Sequence, residues 1–353
     1  MIFNWKDLAH PLAGGAEVFT EEVARSLVSR GHDVTLFAAS VEGRPSREIV
    51  EGVAIERRGG RLGVYREARR FWKERHGKRY DVVVDEINTR PFLAPRWVRD
   101  TPVVALIHQL AREIWPYETP FPVSVLGRYV LEPWWLRAYR DVPALTVSES
   151  SARSLAEHHR WRDVTVVPEG WNPHGVPEVP KERAPTVVFL GRLVAMKRPE
   201  DALDAFRLLR ESCGEARMWV IGDGPLLESL QRRAEPAVTL LGRVETDELR
   251  ERLARAQVLV ATSVREGWGL NVSEAAACGT PTIGYGVPGL VDSIEASGGL
   301  VVGPSPEALA EALKRYFDGE VDLTPRLSMQ PWPDVASVVE TRLNAAVESY
   351  RSG

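Results

Sequence analysis

Short apolar runs alternate with longer stretches in which apolar residues return every three or four positions, almost from one end of the chain to the other. The short runs predict buried strands and the longer stretches predict amphipathic helices. In the first half, strands are expected over 2–5, 33–39, 53–57, 81–84, 103–107, 144–147 and 164–167. Helices are expected over 16–30, closed by Gly31, and from a Ser148 cap to about His158. The stretch 168–185 carries five prolines, which marks a domain boundary. The alternation then resumes, with strands at 186–190, 218–221, 238–241, 258–261 and 299–302. Helices are expected over 199–209, 225–233, 246–256, 270–278 and 306–317, and a last amphipathic helix over 336–350. Strands alternating with helices predict an α/β chain with parallel sheets. The expected division is 1–172, 173–330 and a terminal helix in 331–353.

Composition narrows the class. The 353 residues suffice for two domains, and 44% apolar content is that of a globular protein. There is no apolar run of bilayer length and no basic-then-apolar leader, so a cytoplasmic location is expected. A net charge of −4 argues against a general nucleic-acid binder. Cys213 and Cys278 are too far apart in sequence to suggest a metal knuckle or a disulfide framework. One local bias stands out. Residues 65–80 carry seven Lys or Arg against Glu67 and Glu74, which reads as a helix with a basic face, either solvated or resting on anionic lipid or an anionic acceptor. The latter would make the protein peripheral at the inner membrane face.

The most informative stretch is 263–281, SVREGWGLNVSEAAACGTP. A buried strand leads into a loop with Gly267 and Gly269, and a short Ala-rich helix starts at Leu270. Free amides at a helix start, with the helix dipole behind them and glycines allowing close approach, suit a diphosphate. Glu266 and Glu274, with seven residues between them, stand on either side, and each can accept hydrogen bonds from neighbouring sugar hydroxyls. Asn271 and Glu274 also fit a capping box, a purely structural role. The whole string resembles the E-x7-E signature of retaining glycosyltransferases of family 4, with Trp268 where Phe is more usual and Asn271 and Ser273 where small apolar residues are.

The resemblance extends over the chain and implies two doubly wound, Rossmann-like α/β domains facing across a cleft, the GT-B arrangement. It implies a first, acceptor-side domain, a second domain that binds a nucleotide-sugar donor, and a terminal helix crossing back to the first. Glu274 would hold the ribose and Glu266 the transferred sugar. Arg192 and Lys197, in the loop from Gly191, match a family pair that stabilises the departing diphosphate, although solvated surface cations are the ordinary alternative. Gly14 and Gly15 match a glycine pair facing the donor phosphates; by themselves they make a tight turn or an anion seat, and their spacing is not that of a dinucleotide dehydrogenase. Gly222, beside Asp223, and Arg243 lie in strand-end loops that the family uses for base and sugar edges, while Asp223 is an equally good turn former. His108, at the end of an apolar strand, is either a satisfied buried side chain or, as the family implies, a sugar-positioning and charge-stabilising group.

Asp85, Glu86 and Asn88 close another strand without a D-x-D pattern, so no metal clamp is suggested; a cap or an acceptor-facing carboxylate are the two readings. Trp115, Tyr117, Phe121, Tyr129, Trp134, Trp135 and Tyr139 crowd one segment, where they either pack or meet a sugar or lipid. His10, His158, His159 and His174 show no ligand spacing. The expected activity is metal-independent, retaining transfer of a hexose from a UDP- or GDP-sugar to a hydroxyl of a saccharide, lipid-linked or small-molecule acceptor. It needs no cofactor beyond that co-substrate and no nucleic acid. The alternatives are a same-fold sugar-nucleotide epimerase or hydrolase, and a non-catalytic nucleotide-sugar-binding subunit.

Overall fold

The computed structural model describes residues 1–74, 79–172 and 177–352. The chain divides into two compact units, one made of Met1–Trp115, Phe121–Asn172 and Gln330–Gly353, the other of Pro116–Pro120 and Pro173–Met329.

The first unit is built on an eight-stranded sheet. Its strands are β1 (Ile2–Phe3), β2 (Thr35–Ala38), β3 (Arg47–Val50), β4 (Val53–Arg57), β5 (Val83–Glu86), β6 (Val103–Leu106), β7 (Ala144–Thr146) and β8 (Val164–Val166). Their order is β3-β4-β2-β1-β5-β6-β7-β8, with every pair parallel except β3 with β4. The inner strands are buried along their whole length, as strands covered by helices on both faces must be. Aromatic rings fill one side of the sheet: Phe3 meets Phe37 at 5.7 Å, Phe92 at 5.6 Å and Trp97 at 5.4 Å between centroids. The Val64–Glu74 helix covers them with Val64, Ala68 and Phe71 and leaves Arg66, Arg69, Arg70 and Lys73 in solvent. Arg75 and Lys78 of the basic stretch lie outside the described residues, as does His174.

The terminal helix, Trp332–Ser352, packs on this unit. Gln330–Pro331 pairs with a short strand β9 (Gly170–Trp171), and Trp332 meets Phe19 edge to face at 5.8 Å. Gly170 is demanded there, since a Cβ would lie 2.2 Å from the Trp332 ring. Glu340 accepts from Arg30 at 3.1 Å and pairs with His32 at 2.7 Å, which ties the helix to the end of the Gly15–Ser29 helix.

The second unit holds a six-stranded, all-parallel sheet of β10 (Thr186–Leu190), β11 (Arg217–Ile221), β12 (Val238–Gly242), β13 (Val258–Ala261), β14 (Thr282–Tyr285) and β15 (Leu300–Val302). The order β12-β11-β10-β13-β14-β15 reverses direction between β10 and β13, as the first sheet does between β1 and β5. Such switch points open a crevice at the carboxyl ends of the strands, where ligands of doubly wound sheets bind.

Several elements depart from the sequence expectation, among them the short helices between Trp115 and Tyr139 and the Gly170–Trp171 and Gln330–Pro331 strand pair, for which none were expected. The chain around Trp5 leaves the first strand after Phe3. β3 forms an exposed antiparallel edge, turned into β4 by Glu51 and Gly52, both with positive φ. β14 and the Leu290–Ala296 helix occupy a stretch where no elements were expected.

Candidate functional site

In the second unit the strand-end loops at the switch point are locked together through their backbones. Gly191 donates to the Ile221 carbonyl at 3.0 Å, Leu193 to Asp223 at 2.8 Å and Gly222 to Gly242 at 2.8 Å. Gly222 has φ +140°, and a Cβ on it would fall 1.9 Å from the Gly191 carbonyl oxygen. The chain can run this close only without side chains. Arg192 and Arg243 both rise from these loops into solvent, and neither has an ion-pair partner among the described residues.

A second set of bonds joins the 195–198 turn to the end of β13. Thr262 Oγ1 donates to the carbonyls of Lys197 and Arg198, both at 2.9 Å, and the Val264 amide to Met196 at 2.9 Å. Lys197 Nζ is thereby delivered onto Glu266 Oε1, an ion pair at the end of β13. Ser263 Oγ donates to the same oxygen at 2.5 Å. Glu266 itself is 8% exposed, and its amide donates to Pro288 at 3.0 Å. Gly289 closes this loop: its φ is +79°, and a Cβ would stand 2.0 Å from the Glu266 carbonyl oxygen.

The Leu270–Ala277 helix starts from Gly269, whose φ of 94° admits glycine readily and which provides no side-chain cap. The amides of Leu270 and Asn271 find no acceptor among the described residues. Gly267 lies in the turn just before. The capping-box reading of Asn271 and Glu274 fails, because Gly269 holds the cap position; the Asn271 amide group instead donates to the Leu190 carbonyl at 2.9 Å, pinning the helix start to the end of β10. Glu274 is half-buried, and its carboxylate has no hydrogen-bond partner among the described residues. Burial pushes its pKa up to about 7 against the opposing pull of Arg250. The second unit places Gly191, Arg192, Gly222 and Arg243 in the linked loops after β10, β11 and β12, Lys197 against Glu266 after β13, and Gly267, Gly269, Leu270 and Asn271 at a helix start pinned to β10, an arrangement of open amides and cations suited to an anionic ligand; Glu274 lies one turn into that helix, with Arg250 as its charged neighbour.

In the first unit Gly14 caps the Gly15–Ser29 helix, but the seat has its own anion. Gly14 donates to Glu17 Oε2 at 2.7 Å, and buried Glu17 pairs with Lys6 at 3.3 Å. The amides of Gly15 and Ala16 keep no acceptor among the described residues.

His108 follows β6 and is 7% exposed. Its Nε2 lies 3.7 Å from Glu86 Oε1 and its Nδ1 3.8 Å from Glu169 Oε1, with the Phe19 ring edge-on at 5.2 Å. Burial opposes the imidazolium, but Glu169, Glu86 and Glu17 outweigh it and raise the His108 pKa. Glu86 is pushed up to about 8, chiefly by burial. It accepts from Thr20 at 2.6 Å. Asp85 has the structural role: it accepts from the Phe92 and Ala94 amides at 3.1 and 2.9 Å and from Tyr139 at 2.5 Å. Asn88 donates to Asn4 at 2.8 Å in the same cluster as Glu17.

Sequence reasoning did not single out Ser263, Thr262, Glu17 or Glu169. Ser263 and Thr262 read as ordinary strand-end hydroxyls. Glu169 sat in a stretch taken as a connection, and its one signal was a carboxylate shortly after an apolar strand.

Two family models match this chain: glycosyltransferase family 4 over residues 13–174 and glycosyl transferases group 1 over 184–318. Among curated relatives, the 2-deoxystreptamine glucosyltransferase of Streptomyces kanamyceticus is 28% identical over 223 residues, which is 56% of this chain and 58% of that protein, so the match spans little more than half of that relative. The D-inositol 3-phosphate glycosyltransferase of Streptomyces coelicolor is 26% identical over 96% of this chain and 88% of that one. Among solved structures, Anabaena HepE in complex with UDP-glucose superposes with a TM-score of 0.64 at 16% identity, covering 100% of this chain and 99% of that one. With both family models on the two sheet-bearing units and the fold shared end to end, the chain belongs to the family 4 glycosyltransferases and has their GT-B fold of two Rossmann-like domains.

Proposed function

We propose that this glycosyltransferase moves a hexose from a UDP-sugar to a hydroxyl with retention of anomeric configuration and without a metal ion. The observation that carries the reading is the cluster at the β10–β13 switch point: an open helix start at Gly269–Asn271, the cations Arg192 and Lys197, and the carboxylates Glu266 and Glu274. The helix amides and the two cations would draw off the diphosphate as the bond from C1 to its oxygen breaks. The acceptor oxygen bonds to C1 on the same face, and its proton passes to the departing diphosphate. Glu274 holds the ribose hydroxyls, Glu266 the sugar, and Arg243 and the Gly222 loop the base. A uridine donor is favoured by the UDP-glucose bound to HepE, and a guanosine donor is the alternative that the GDP-mannose-dependent mannosyltransferases of Mycobacterium tuberculosis support. The exposed cations of the Val64–Glu74 helix are assigned to an anionic acceptor group.

Thermal shift with UDP-, GDP-, ADP- and dTDP-sugars tests the donor, since a ligand of the folded state raises its melting temperature. Product analysis by NMR, with and without hydroxyl acceptors, then tests the reaction. An α-linked product from an α-linked donor is expected, with the rate unchanged by chelator. Donor consumption without acceptor would favour a hydrolase or epimerase instead.

A further inference from the structure

Half of the aromatic segment that the sequence singled out does not pack. Trp115 and Tyr139 are buried, but Phe121 is 83% exposed, Tyr129 60% and Trp134 53%, and Val123, Val125, Leu126 and Val130 are also exposed. From Val123 on, these residues lie on one helical run to Tyr139, whose middle, Gly127–Leu131, is wound more widely than an α-helix, and Phe121 stands two residues before it.

The inner face of this run is firmly seated. Gly127 packs on Trp115, where a Cβ would stand 2.3 Å from the ring. Glu132 is buried and accepts from the Ala111 amide at 2.8 Å and from Trp115 Nε1 at 3.1 Å. Ser124, Leu136 and Tyr139 complete the buried side. The outer face is therefore a fixed ridge of apolar and aromatic side chains.

Within the run itself the exposed charge is of one sign. Glu132 is the only acidic residue between Phe121 and Arg140, and it points inward. Arg137 and Arg140 are exposed, Arg128 lies 5.3 Å over the Tyr129 ring, and Arg96 lies 4.7 Å over the Trp134 ring. An apolar ridge with aromatic residues and four arginines on or over it, with acidic groups only at its two ends (Glu118 and Asp141), matches the interface of an anionic bilayer, where side chains sink among the acyl chains and arginines meet the headgroups. The same ridge on a second copy would set arginine against arginine, which disfavours a symmetric dimer.

We infer that the Phe121–Trp134 ridge is the face by which the first unit docks on an anionic lipid surface, the apolar side chains inserting and the flanking arginines contacting headgroups. This rests on the ridge alone and not on the donor or acceptor chemistry proposed above.

The test is sedimentation of the full chain with phosphatidylcholine vesicles, with and without phosphatidylglycerol, alongside Trp fluorescence. The expected result is binding to the phosphatidylglycerol vesicles with a blue shift, weakened but not abolished by salt. L126S and Y129S, both exposed and so compatible with folding, should each weaken binding about tenfold or more, the loss expected from removing one inserted apolar side chain. Circular dichroism and donor-induced thermal shift of the variants should match the parent. Absence of binding to either vesicle would overturn the inference, as would equal binding to neutral vesicles. So would binding insensitive to L126S and Y129S but lost with R69E/R70E on the Val64–Glu74 helix. A dimer in solution that L126S dissociates would assign the ridge to a second copy instead and equally refute it.

Discussion

Lys197 and Glu266 form an ion pair at the end of β13, with Ser263 donating to the same carboxylate oxygen. The two residues assigned to opposite ends of the donor, diphosphate and sugar, are thus in direct contact. A diphosphate entering here would share the Lys197 ammonium with Glu266, and each group would orient the other. Lys197→Met should lower kcat about 10²-fold or more, as removal of a charge-stabilising group does, with a smaller effect on KM. Lys197→Arg should recover part of the loss. Steady-state kinetics with a UDP-sugar decide it; an unchanged kcat would leave the pair a structural clasp.

Arg192 offers a cleaner separation of chemistry from stability. It is exposed and has no ion-pair partner among the described residues, so its removal costs the fold little. Arg192→Ala should reduce kcat/KM about 10²-fold while leaving the melting temperature unchanged.

With Glu274 on the ribose, as proposed above, donor binding should depend on pH. Its pKa rises from an ordinary 4.5 to about 7, so near neutrality it is only partly ionised. The ionised carboxylate is the form that can accept from two ribose hydroxyls at once. Affinity for the nucleotide should therefore increase as pH rises through about 7 and then level off. Glu274→Gln should flatten this profile and weaken binding about tenfold. Calorimetric titration with UDP across the range tests it.

Glu86 gives a stability signature of the opposite kind to a salt-bridged acid. Its carboxyl ionises near 4.5 when unfolded and at about 8 when folded. The cost of burying it is absent below the lower value, accumulates between the two and is complete above the higher. Glu86→Gln, which can still accept from Thr20, should raise the melting temperature by about 3 °C or more at alkaline pH and by less at acid pH. Melts at several pH values check the sign.

Gly289→Ala should be among the most damaging small changes. The new Cβ would meet the Glu266 carbonyl oxygen at 2.0 Å on a backbone with φ +79°. The combined strain and overpacking amount to about 3 kcal/mol, and relief requires moving the Glu266 loop, so turnover should fall with stability. Urea melts and kinetics on the same preparation would show both.

The parts of this chain that were readable in its sequence are those governed by burial on both faces of a sheet. Val187, Val188 and Phe189, or Val258 to Ala261, admit one interpretation because uninterrupted β-branched and apolar runs have nowhere else to go. β3 escaped notice because none of its four residues is buried and its first two, Arg47 and Glu48, are charged. β14 escaped because Pro281 and Gly284 look like a turn; Gly284 is there so that the strand can approach Ala261, whose carbonyl oxygen would lie 2.7 Å from a Cβ. At the candidate site, Glu266 and Glu274 were legible because they share one dense local string, and Lys197 because it follows Arg192 in a strand-end loop. The carboxylates around His108 come from sequence positions 17, 86 and 169 and meet only through the sheet order, which no local pattern encodes.

The turn after β10 and the turn after β11 touch backbone to backbone, with the Gly222 Cα seated on the Gly191 carbonyl. Neither can therefore be transplanted by itself. An attempt to change nucleotide preference by importing a relative's 191–197 segment would bring a foreign curvature against a native neighbour that has no slack to accept it. The unit of exchange is the pair, 191–197 together with 221–225, and chimaeras cut on that rule should fold where single-loop swaps do not.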